Sequence, residues 1–144
     1  MDVAALILWI LTAGGGFVLL GTWVAKGGAR HQPAGAGSRF PPALILGHFL
    51  LAAAGLVLWI IYVATDTSAL AWVAFVLLAV VALMGFTMFA RWIPSYRAAR
   101  ATTAAGAAAD TGPAERHFPV SIVAAHGLLA ATTLVLVLLA ALSS

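Results

Sequence analysis

Four apolar runs, each long enough to cross a lipid bilayer as a helix, constrain this 144-residue chain more than any other feature. A spanning helix needs about 20 apolar residues. The runs at 3–25, 41–64, 69–92 and 118–142 meet that length. Inside a bilayer every backbone N–H and C=O must be paired within the protein, so spanning segments are helices or closed barrels. Runs of this length select helices. The sequence therefore predicts an all-α polytopic membrane protein with four transmembrane helices in an up-down-up-down bundle. Two helical hairpins would build it, as one domain over 1–144. Charged residues make up only 8% of the chain, against about a quarter in soluble proteins, so no soluble domain fits beside the spans. The first run starts at the acidic Asp2 and outlasts a signal-peptide core, so it is read as a retained helix.

The cations set an expected orientation. Lys26, Arg30 and Arg39 fall at the first connection (26–40), and Arg91, Arg97, Arg100 and Arg116 at the third (93–117). No Lys or Arg lies elsewhere, whereas Asp2 and Asp66 mark the opposite side. The positive-inside rule then places both long connections in the cytoplasm and both termini outside a cytoplasmic (inner) membrane. Seven dispersed cations are too few for a nucleic-acid surface. The absence of cysteine removes disulfides, thiolate metal sites and cysteine nucleophiles. The Ile93-Pro94-Ser95 sequence is expected to close the third helix. Residues 98–114, low in complexity, are expected to form a mobile loop.

Residues 40–58 and 118–136 repeat one another without a gap. Phe40/Phe118, Pro41/Pro119, His48/His126, Leu50/Leu128, Leu51/Leu129, Ala52/Ala130, Ala53/Ala131, Leu56/Leu134, Val57/Val135 and Leu58/Leu136 all match. A proline in the first turn suits a helix start. Each histidine follows its Pro41 or Pro119 by seven residues, which puts both roughly 10 Å inside the cytoplasmic edge. In an up-down bundle the second and fourth helices run parallel on a diagonal. With neighbouring axes about 8–10 Å apart, that diagonal suits two imidazoles meeting one metal.

Ionisable residues inside spans are rare and functional by default, and haem iron is commonly held by histidine. His48 and His126 are thus candidate axial ligands of one haem b per chain. Ala52 and Gly55, with Ala130 and Thr133, lie on the histidine faces and are expected to leave room for a flat macrocycle. Arg39 and Arg116 precede the two Phe-Pro starts and are candidate partners of haem propionates, since arginine suits bidentate carboxylate recognition. Each has a plainer reading too. Small residues let spanning helices approach, arginines anchor the cytoplasmic side, and Gly14-Gly15-Gly16 reads as packing or a kink. Trp23 and Trp92 read as interface-belt residues, and His117 and His31 as surface groups in the basic connections.

Four helices with histidines on the second and fourth resemble the small membrane b-type cytochromes in layout. That resemblance implies electron transfer, with quinone as a partner or within a larger redox complex, and leaves open whether the chain is itself an oxidoreductase. The chain departs from the family in having one histidine pair where most members have two. One haem near the cytoplasmic side is the most this scheme allows, so a homodimer or a partner subunit is expected. Two other classes stay open. One is a cofactor-free accessory subunit whose histidines hydrogen-bond across helices; the other is a small transporter. The transporter ranks last, since the spans hold almost no polar groups besides the histidines and a few threonines.

Overall fold

The computed structural model describes residues 1–30, 38–104 and 112–144. Four helices, Asp2–Ala25 (α1), Pro42–Thr65 (α2), Ser68–Ala104 (α3) and Val120–Ser143 (α4), carry almost all of them, with no strand among the described residues. A 3₁₀ turn, Ala114–His117, precedes α4. All four helices are long and apolar enough to span a membrane, compatible with a multi-pass membrane protein. Large apolar side chains such as Phe17, Leu83, Phe86 and Leu128 are exposed on their outer faces, as lipid contact requires.

The order around the bundle is α1, α2, α3, α4, and the backbones of the diagonal pairs stay apart. The α2–α3 link is only Asp66 and Thr67; Asp66 adopts a left-handed conformation (φ 55°) and its N–H caps the Tyr62 carbonyl. The most intimate contacts join α1 to α4 and α2 to α3, while α1 and α2 touch least. Tight packing therefore runs between the two hairpins rather than within each. Glycines explain this, because Gly15 and Gly16 of α1 face α4, and Gly47 of α2 faces α3. Residues without a Cβ let helix backbones approach closely.

The contacts also reveal a second half of the repeat. Aligning α1 with α3 at an offset of 69 residues matches Ala5/Ala74, Leu8/Leu77, Ala13/Ala82, Gly16/Gly85, Phe17/Phe86 and Trp23/Trp92. Ala5 and Ala74 are both fully buried, and so are Trp59 and Val137, which correspond in α2 and α4. The whole bundle is thus two copies of one hairpin about a pseudo-two-fold axis along the bundle.

The third helix does not stop at Ile93-Pro94-Ser95, as the sequence led one to expect. It continues through Pro94 to Ala104. Proline removes one intrahelical hydrogen bond and usually breaks a helix. Here a stack within the helix and one tertiary contact accompany its passage through the proline. Trp92 stacks on Tyr96 with ring centroids 5.0 Å apart, and Ser95 is buried against Glu115. Within the stretch expected to be a mobile loop, 98–104 is therefore helix, 105–111 lie outside the described residues, and 114 begins the 3₁₀ turn.

Two apolar layers fill the bundle. At the end holding the termini, Ala5, Trp9, Trp59, Tyr62, Leu78 and Val137 pack together. At the end holding the cations, called the basic end below, Trp23, Phe40, Ile45, Trp92 and Ala114 form the other layer. Between the two lies the level of the histidines.

Candidate functional site

His48 is the seventh residue of α2 and His126 the seventh of α4. The parallel diagonal helices thus hold them at one depth, about 9 Å from their helix starts. Their ring centroids are 6.4 Å apart and their planes 54° apart. Phe40 and Phe118, the starts of the two repeats, meet at 6.0 Å across the same diagonal.

Each imidazole leans on the helix beside it. His126 Nδ1 lies 2.9 Å from the backbone oxygen of Thr12 in α1, so Nδ1 is the protonated nitrogen that donates there. That bond fixes the tautomer and leaves Nε2 with its lone pair. The chain exposes the acceptor by a simple device. A helical Cβ tilts toward the N-terminus and covers the turn before it. Gly16, four residues after Thr12, has none, and a Cβ there would come within 3.2 Å of His126 Cε1. Gly15 contacts the same ring.

The pseudo-two-fold mate of this arrangement is Val81, Gly85 and His48. A Cβ on Gly85 would sit 3.5 Å from His48 Cε1, and the Val81 backbone is the group that interacts with His48. The mate is looser, since no acceptor reaches hydrogen-bond geometry at His48 Nδ1, which is buried and unpartnered.

The other candidates separate into levels. Ala52 and Ala130, both half-buried, lie one turn deeper than the histidines. Gly55 is buried deeper still, but its open side seats the Trp9 ring, with Cζ2 3.1 Å from where a Cβ would be. The clearance beside the imidazoles is therefore made by Gly16 and Gly85 rather than by Gly55. Thr133 is buried and donates its hydroxyl to Leu129 of its own helix, as Thr22 does to Val18 and Thr87 to Leu83. None of these three hydroxyls serves a histidine. Of Gly14-Gly15-Gly16, read from the sequence as packing or a kink, Gly15 and Gly16 pack against His126, while Gly14 faces open space.

Sequence reasoning passed over the strongest polar cluster, at the basic end. Glu115 is fully buried. Its Oε2 accepts from Ser38 Oγ at 2.8 Å and its Oε1 from the Arg39 N–H at 2.7 Å. Ser38 Oγ in turn accepts from Trp23 Nε1 at 2.8 Å and from the Phe40 N–H at 3.0 Å. Trp23 and Trp92 are not belt residues facing lipid; they are 3% and 6% exposed and sit beneath these connections. Arg39 belongs to this cluster through its backbone, and its carbonyl accepts from Arg91 Nη1. Arg116 donates to Thr102 Oγ1 at 3.3 Å and lines an open cavity of about 410 Å³ with Tyr96, Arg100 and Phe118. His117 Nδ1 lies 3.3 Å from the Ala114 carbonyl oxygen, and His31 lies outside the described residues. A buried carboxyl bonded by Ser38, the Arg39 N–H and Ser95 has no periodic signature; only the pairing of residues distant in sequence produces it.

The histidine geometry has a definite chemical content. A first-row metal–imidazole bond is about 2 Å long, and a ring nitrogen sits about 1.1 Å from its ring centre given ring bonds near 1.35 Å. Two imidazoles facing each other across one metal would then have centroids roughly 6.3 Å apart, against 6.4 Å observed. Among the described residues no group of three or more His, Asp or Glu side chains comes together. No family model, curated relative or solved structure matches the chain, and the site stands on its own geometry.

Proposed function

We propose that this protein is a membrane-embedded b-type cytochrome with one haem b held between His48 and His126. The observation that carries this reading is the 6.4 Å separation of two imidazoles at one depth. Two imidazoles would suit a metal that brings its remaining donors with it, as a four-nitrogen macrocycle does. His126 would ligate through Nε2 while Nδ1 donates to Thr12, the outer partner that orients a ligating histidine. Gly16 and Gly85 would keep side chains clear of the imidazoles. Arg39 and Arg116, together with Arg91, make the basic end the favourable one for propionates. When bound, haem supplies one-electron chemistry, with its potential tuned by burial and by these contacts.

By the positive-inside rule the basic end faces the cytoplasm and both termini lie outside the inner membrane. A single haem near one face does not span the bilayer, so the chain would act as a homodimer or as a subunit of a redox complex, exchanging electrons with quinol or a partner cofactor. A cofactor-free accessory role has its own support, because the His126–Thr12 bond joins two helices without any ligand. A dithionite-reduced minus oxidised spectrum of the detergent-purified protein decides between them. A low-spin b-type signal, lost in both His48→Ala and His126→Ala, is expected. A colourless wild type, even after expression with added haem, would leave the accessory role.

A further inference from the structure

The repeat places two tryptophans at equivalent points, and the structure treats them differently. Trp23 lies seven residues after Gly16, and Trp92 seven after Gly85. Each is two turns, about 10.5 Å, from the histidine level toward the basic end. Trp23 Nε1 has its acceptor in Ser38 Oγ at 2.8 Å. The residue corresponding to Ser38 in the second copy is Arg116, which has no acceptor to offer. Trp92 Nε1 is accordingly left buried with no partner, in a residue 6% exposed. Buried polar groups are nearly always paired, so an orphaned one calls for an explanation. The indole N–H only donates, hence whatever satisfies it must be an acceptor.

We propose that Trp92 donates its indole N–H to a carboxylate of the molecule held between His48 and His126. On the reading above, from which this follows, that carboxylate is a haem propionate. Three observations converge on it. The orphan is a donor, which fits an anion. It belongs to the apolar layer lying directly on the histidine level, among Phe40, Ile45, Met88 and Phe118, where a side arm of a planar ligand would run. The nearby cations Arg39, Arg91 and Arg116 make this the end of the bundle where negative charge is favoured. Trp92 is thus a binding and orienting residue: it selects which end of the ligand points to the basic side.

The test compares wild type, Trp92→Phe and Trp23→Phe as full-length proteins in detergent. In the absence of haem, Trp23→Phe loses its bond to Ser38 and should unfold at a lower temperature. Trp92→Phe removes an unsatisfied donor and part of a buried ring but breaks no hydrogen bond, so it should lower the unfolding temperature less than Trp23→Phe does. Titration with haemin, followed at the Soret band, should show Trp92→Phe binding about tenfold more weakly or worse, the loss expected for a hydrogen bond to a charged group. With haemin dimethyl ester, whose propionates carry no charge, the gap between wild type and Trp92→Phe should shrink. Equal haemin affinity in wild type and Trp92→Phe would overturn the assignment and leave the cytochrome reading intact. A wild type that takes up no haemin would overturn both.

Discussion

Replacing the two equivalent glycines, Gly16 and Gly85, by alanine should give opposite results at one level of the bundle. Alanine is favoured over glycine inside a helix by about 0.5–1 kcal/mol. At Gly85 the new Cβ would meet His48 Cε1 at 3.5 Å, an ordinary contact, so Gly85→Ala should keep that gain and stabilise the protein. At Gly16 the new Cβ would meet His126 Cε1 at 3.2 Å. The ring must shift by a few tenths of an ångström, yet it is tied to Thr12 at 2.9 Å. That bond has a net worth of about 0.5–1.5 kcal/mol, so straining it cancels the helix gain. The two variants should therefore differ by about 1 kcal/mol, with Gly16→Ala near wild type. Gly16→Val adds bulk with no room and should lose about 1–3 kcal/mol. Reversible unfolding of the haem-free protein in mixed micelles measures all three. Equal stabilisation by both alanines would refute the claim that His126 is pressed against α1 by its bond to Thr12.

The basic-end cluster and the far layer give further expectations. Glu115→Ala leaves the Ser38 hydroxyl and the Arg39 N–H without their acceptor and should lose about 2–5 kcal/mol in the same unfolding assay, with Glu115→Gln losing less; a wild-type midpoint for Glu115→Ala would show the cluster to be idle. Trp59→Phe, which loses the 3.2 Å bond from Nε1 to the Asp2 carbonyl, should destabilise by about 1–3 kcal/mol while leaving any haem spectrum unchanged. The chain has no cysteine, so single-cysteine variants report topology cleanly. Thr67→Cys should react with an impermeant thiol reagent from outside the cell and Arg97→Cys only after permeabilisation; the reverse pattern would invert the orientation.

The four helices and the diagonal histidines were legible because they rest on run length and on a repeat carrying a proline and a histidine, letters uncommon in apolar segments. The matching repeat in α1 and α3 was not. The contacts of Gly16 and Gly85 with the two histidines require an offset of 69. The informative letters were Gly16-Phe17 against Gly85-Phe86, with Trp23 against Trp92. They were hidden because glycine is common in this chain and tryptophan near a helix end has an ordinary reading in lipid. Helix continuation past Pro94 was illegible for a different reason. Proline opposes it, and the Ser95–Glu115 contact on the other side of the balance joins residues that only the fold brings together. Glu115 itself gave no signal, since its burial depends on Ser38, 77 residues away.

The bond from His126 to Thr12 spans 114 residues, joining the last of the four helices to the first. A ribosome releases α1 into the membrane long before α4 exists, and α1 packs more intimately on α4 than on its neighbour α2. Until α4 arrives, α1 lacks its main partner, and His48 faces a gap where the second imidazole belongs. The order of synthesis thus leaves the histidine pair incomplete until α4 has been made. A chain truncated before residue 120 would keep the close α2–α3 pair and leave α1 held only by its sparse contacts with α2, open to quality-control proteolysis.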